Sequence, residues 1–118
     1  LLSADQLRFY DDLLGQYQRR FGPDNVLHAP VQDYAPVSST LFSEQIRPFL
    51  QESMRQNLPT VVHCSAGIGR TGQVLALWLA LEHEYDLETA IHIVRNQHRD
   101  PLESVAIDTF RAMYEALQ

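Results

Sequence analysis

Cysteine is almost absent from this chain: there is one thiol, Cys64, in 118 residues. A lone cysteine excludes an internal disulfide framework and fits a reducing, cytoplasmic compartment. Long apolar runs are missing too. No stretch approaches the ~20 residues of a membrane-spanning helix, and no signal-peptide pattern is visible. Basic residues are few: nine Lys plus Arg face fifteen Asp plus Glu, a formal net charge of −6. That balance argues against nucleic acid or an anionic membrane as partner. The five histidines lack paired metal-ligand spacing, so no metal site is expected. Internal repeats and low-complexity tracts are also lacking.

What is present is ordinary globular material, 45% hydrophobic and 20% charged, enough for one domain over residues 1–118 with its own core. One segment stands out: His63-Cys64-Ser65-Ala66-Gly67-Ile68-Gly69-Arg70-Thr71-Gly72. It joins a thiol, a glycine-rich turn and an arginine, with a β-branched run (Thr60, Val61, Val62) before it and an apolar run (74–81) after it. A strand–loop–helix passage of this kind aims backbone N–H groups and a positive helix end at one anion-sized spot. The thiolate is the reactive form of cysteine, and such a nest lowers its pKa. The fork of Arg70 can hold two phosphoryl oxygens at once. Gly67 and Gly69 permit backbone angles closed to other residues. Thr71 puts a hydroxyl near the sulfur. A buried structural cysteine would leave the glycines and Arg70 unexplained, and a Walker-type loop would need a Gly-Lys-Ser/Thr run that is missing here.

The string His63-Cys64-x-x-Gly67-x-x-Arg70-Thr71-Gly72 resembles the signature of the cysteine-dependent protein tyrosine and dual-specificity phosphatases, with every fixed position filled. The resemblance extends over residues 26–117 and is closest to small, atypical dual-specificity-like phosphatases. It implies a two-step reaction without a cofactor. Cys64 is the nucleophile, and Arg70 with the amides of Ser65, Ala66, Gly67, Ile68 and Gly69 binds the phosphoryl group. Thr71 assists the departing thiolate, and His63 either supports Cys64 through hydrogen bonds or is a satisfied core histidine. The family carries its general acid on a mobile loop upstream of the cysteine. Here 31–36 resembles that loop and Asp33 is the expected acid, although Gln32 stands where the tyrosine-specific branch often has proline. Asp24 is better explained as a turn residue and Asp100 as a helix cap. Glu103 stands where related enzymes put a polar residue facing the catalytic loop, but reads rather as an exposed first-turn carboxylate of the last helix; His92, Arg95, His98 and Arg99 read as a solvated face, with substrate docking as the alternative.

Periodicity predicts a helix over 4–20 capped by Ser3, a breaker at 22–25 and a strand at 26–29. A helix over 41–55 carries Pro48 in conflict with it. Next come a strand at 60–62, a buried central helix reaching about residue 84, a helix over 87–97 with Leu87, Ala90, Ile91 and Val94 on one stripe, and a last helix starting at Pro101. The expected fold is α/β, a parallel central sheet flanked by helices. Only two strands are evident and the chain begins with Leu1, so N-terminal strands are expected to precede it.

The expected partner is a phosphorylated protein or peptide carrying phosphotyrosine, and phosphoserine or phosphothreonine if the site is shallow; the chain is expected to be a monomer. Apolar Ala66 and Ile68 disfavour highly charged inositol lipids. Two other classes fit parts of the pattern. One is a phosphate-binding module that does not hydrolyse. The other is a thiol enzyme such as a sulfur transferase or arsenate reductase, the latter usually requiring further cysteines.

Overall fold

Every regular element of this protein is helical in the computed structural model, which describes residues 1–118. In chain order these are α1 (Ala4–Leu7), α2 (Leu13–Phe21), a 3₁₀ turn (Pro23–Asn25), α3 (Ser39–Leu41), a π-helical turn (Phe42–Ile46), α4 (Arg47–Arg55), α5 (Gly69–Glu82), α6 (Leu87–Asn96) and α7 (Ile107–Ala116). The expected parallel sheet is not present. A strand needs a neighbour whose N–H and C=O groups complete its ladder. The segments 26–29 and 60–62 both run as irregular chain, and no backbone hydrogen bond joins them. Leu1 links the two regions instead: its N–H donates to the His63 carbonyl, and its own carbonyl accepts from Val31. Val61 is left 87% exposed, as expected of a β-branched residue without a sheet to cover it.

Ser3 does start a helix. Its hydroxyl accepts from the Gln6 N–H while the Gln6 side chain accepts from the Ser3 N–H, a complete capping box. The predicted single helix over 4–20 breaks between α1 and α2, where Asp12 turns left-handed with φ 51°. Asp11 and Asp12 are poor interior residues and better starters, and the Asp12 carbonyl accepts the first bond of α2. Pro48 is accommodated by the π-helical turn before it. A helical proline clashes with the carbonyl four residues back, here Glu44 inside that turn.

The core forms around α5. Val74, Ala76, Leu77 and Ala80 are buried on it, Leu87, Ala90, Ile91 and Val94 on α6, and Phe110 and Met113 on α7. The α6 stripe is the one that periodicity predicts. Phe42 and Ile46 of the π-helical turn belong to the same cluster. Full burial of one such side chain contributes about 1.5–3 kcal/mol, so this cluster anchors the helix that carries the cysteine loop. The last helix begins at Ile107 and not at Pro101. Pro101 is fully buried in a turn that approaches α5 closely. A Cβ on Gly72 would stand 2.8 Å from the backbone of Asp100 and Pro101, so only glycine permits that approach.

Candidate active site

The loop from Cys64 to Ile68 leads directly into α5, so the sulfur lies beside the first turn of the most buried helix. Cys64 is 7% exposed. Its Sγ accepts from the Gly67 N–H at 3.2 Å and from the Thr71 hydroxyl at 3.1 Å. Gly67 reaches that position with φ 74°, a left-handed conformation that favours glycine. Gly69 does not need such freedom, because it already begins the helix; the space beside it is taken by the Glu103 carboxylate.

The N–H groups of Ser65, Ala66, Ile68, Gly69 and Arg70 find no acceptor within the chain. Together they supply donors for an anion at a helix N-terminus. Burial disfavours ionisation of Cys64. The Thr71 hydroxyl, the N–H groups of Thr71 and Gly67 and the Arg70 charge outweigh it, so the thiol is held below its ordinary pKa.

Arg70 is only 3% exposed. Its Nη1 donates to the carbonyls of Val31 (2.8 Å) and Leu1 (3.2 Å) and to Gln6 Oε1 (2.7 Å). Its Nη2 donates to Ser65 Oγ at 2.9 Å and pairs with Asp33 Oδ1 at 3.2 Å. A buried guanidinium with this many acceptors is fixed in orientation. Ser65 thus contributes its side chain, where the sequence pointed only to its amide.

Asp33 reaches the same cleft, which Cys64, Ser65, Ala66, Gly69, Arg70 and Tyr34 also line. Its carboxylate accepts from the Tyr34 N–H at 3.0 Å and from Gln6 Nε2 at 3.2 Å. The loop that carries it is fastened to α5 by a residue that the sequence did not mark. Gln73, 1% exposed, accepts from the Val37 N–H and donates to the Ala35 carbonyl.

His63 stands behind the loop. One ring nitrogen meets the Cys64 carbonyl at 3.3 Å and the other the Tyr17 hydroxyl at 3.2 Å, with Tyr17 edge-on to the ring. It touches the backbone of Cys64 and makes no hydrogen bond to the sulfur. Tyr17 carries no sequence signal beyond its place on an apolar helix face.

Asp24 lies exposed on the 3₁₀ turn, away from this cleft. Asp100 caps a turn and not a helix: its Oδ1 accepts from the Leu102 N–H and pairs with Arg95. Glu103 precedes α7 and lines the cleft, so it is not a first-turn residue. Of the basic face, His92, Arg95 and His98 are exposed, while Arg99 is half-buried beside Gly67.

In chemical terms, the cleft combines an easily ionised thiol, a set of unclaimed N–H donors, a fixed guanidinium and a carboxyl group. Residues 10–84 match the family model described as polymorphic toxin system, DSP-PTPase phosphatase. The chain is also 27% identical over 63 residues to the dual specificity protein phosphatase OPG106 of vaccinia virus (strain Western Reserve), covering 53% of this chain and 37% of that protein. It is 29% identical over 55 residues to OPG106 of monkeypox virus and to the dual specificity protein phosphatase H1 of variola virus, in each case covering 47% of this chain and 32% of the relative. The chain therefore spans about a third of the length of these curated relatives. No solved structure matches it.

Proposed function

Because this chain belongs to the polymorphic toxin system DSP-PTPase phosphatase family, we propose that it hydrolyses phosphate monoesters on proteins through a cysteinyl-phosphate intermediate. The observation that carries the reading is the environment of Cys64: two donors on the sulfur and five unclaimed N–H groups in the loop around it. In the first step the thiolate attacks phosphorus, an S–P bond forms and the P–O bond to the leaving group breaks. The five unclaimed N–H groups and the Arg70 fork hold the equatorial oxygens. Asp33 gives its proton to the leaving oxygen. In the second step water attacks phosphorus and passes a proton to Asp33. The S–P bond breaks, phosphate leaves and the thiolate returns to the Thr71 hydroxyl. His63 fixes the backbone at Cys64.

Phosphotyrosine suits a cleft with Tyr34 on its rim. Asp33 at 38% exposure leaves the site open enough for phosphoserine and phosphothreonine. The test is phosphate release from an aryl phosphate and from phosphopeptides by the wild type and by Cys64→Ser. Turnover should vanish in the variant while phosphopeptide binding persists, because the loop amides and Arg70 are untouched. Hydrolysis by Cys64→Ser at a substantial fraction of the wild-type rate would refute the thiol mechanism.

A further inference from the structure

Gln6 lies before the family-matched residues 10–84, yet its carboxamide sits between the two charged groups of the cleft. Oε1 accepts from Arg70 Nη1 at 2.7 Å, while Nε2 donates to Asp33 Oδ2 at 3.2 Å and reaches Ser65 Oγ at 3.4 Å. The orientation is not free to flip. Oε1 also accepts from the Ser3 N–H at 3.2 Å, which requires the oxygen on that side. The capping box of α1 thus points the amide nitrogen at the carboxylate.

We propose that Gln6 is a positioning residue that sets Asp33 for proton transfer, using α1 as its mount. The inference rests on the reading of Asp33 as general acid. Asp33 Oδ1 is taken by Arg70 and the Tyr34 N–H. Oδ2, held by one neutral donor, is therefore the oxygen able to carry the proton toward a leaving group. Removing the Gln6 donor leaves Asp33 tied to Arg70 on one side and loose on the other. The same carboxamide holds Arg70, so acid and phosphate-binding fork keep a fixed relation.

Gln6→Glu separates these duties. Glutamate at this position keeps the capping box and still accepts from Arg70, but it cannot donate to Asp33 as a carboxylate and it repels that group. Initial rates on phosphotyrosine and on an ester of a strongly acidic phenol are measured for wild type, Gln6→Glu, Asp33→Asn and the double variant, with thermal unfolding alongside. The expected result is a loss in kcat of about tenfold or more on phosphotyrosine, whose leaving oxygen needs a proton, against less than about threefold on the acidic phenol ester. The melting temperature stays near wild type, and Gln6→Glu adds little in the Asp33→Asn background. Gln6→Met, uncharged and of similar shape, should again lose more on phosphotyrosine. Equal losses on both esters, no loss, or a full additional loss without Asp33 would overturn the role of Gln6. If Asp33→Asn is itself indifferent to the leaving group, the acid assignment fails first and this inference with it.

Discussion

Gln73 holds Val37: the buried carboxamide on α5 accepts the Val37 N–H at 2.7 Å and, through its nitrogen, reaches the Ala35 carbonyl at 3.2 Å. Neither residue has meaningful contact with water, with Gln73 1% and Val37 0% exposed. Gln73→Leu would leave a buried N–H without a partner. The expected cost is about 1–3 kcal/mol of stability, read as a lower denaturation midpoint in urea. Turnover should fall as well, because the loop carrying Asp33 loses its anchor on the helix that follows Cys64. Wild-type stability in the variant would show that another acceptor takes the Val37 N–H.

Thr71→Val removes a donor to the Cys64 sulfur while keeping the shape of the side chain. The thiol is held below its ordinary pKa in part by that donor. Alkylation rate against pH should therefore have its midpoint below the free-cysteine value of about 8.5 in the wild type, and the midpoint should move upward in the variant. The sign extends to stability. A thiol that ionises more readily when folded contributes fully above the unfolded pKa, and that contribution is lost as pH falls through the folded value. An unchanged midpoint in Thr71→Val would show that the N–H groups and Arg70 alone set the acidity.

Asp33→Asn should slow phosphotyrosine hydrolysis by about 10²–10⁴-fold, the range for a lost proton donor. The loss should be smaller on an ester of an acidic phenol, and the basic limb of the pH–rate profile should flatten. Asp24→Asn and Asp100→Asn are the comparisons. Neither should alter the leaving-group dependence, although Asp100→Asn weakens a turn in which its carboxylate holds Leu102 and Arg95. If Asp33→Asn is harmless on both esters, the donor lies elsewhere, and Glu103 on the cleft wall is then the carboxylate to replace.

The cysteine loop was legible as a unit because an anion-sized turn asks for residue types at fixed places, glycine at a left-handed position and an arginine one loop beyond the thiol, and the structure gathers these around one cleft. The stripe on α6 was legible from periodicity, and the burial of α5 from a run that is apolar on all sides. The lack of a sheet was not legible, because β-branched runs such as 60–62 state a preference for extension without stating whether a neighbour exists to bond with. Pro48 signalled a local conflict correctly, but periodicity could not show that a π-helical turn resolves it. Gln6 and Gln73 are silent in the sequence for a different reason. A glutamine is ordinary in any helix, and only folding reveals that two carboxamides connect Arg70, Asp33 and the 35–37 backbone. The Ser65 hydroxyl is equally silent, since it matters only once Arg70 curls back over it.

The stretch from Val31 to Val37 is tied down at both ends. At one end the Val31 carbonyl and N–H are taken by Arg70 and Leu1; at the other Ala35 and Val37 are taken by Gln73. Such a segment behaves as a bracket rather than a flap. Its ordering entropy is spent during folding, so less remains to be lost when an anion arrives. Amide exchange at Val31 and Val37 should accordingly be slow in the empty protein and change little on adding phosphate, in contrast to a site that must close before it can act.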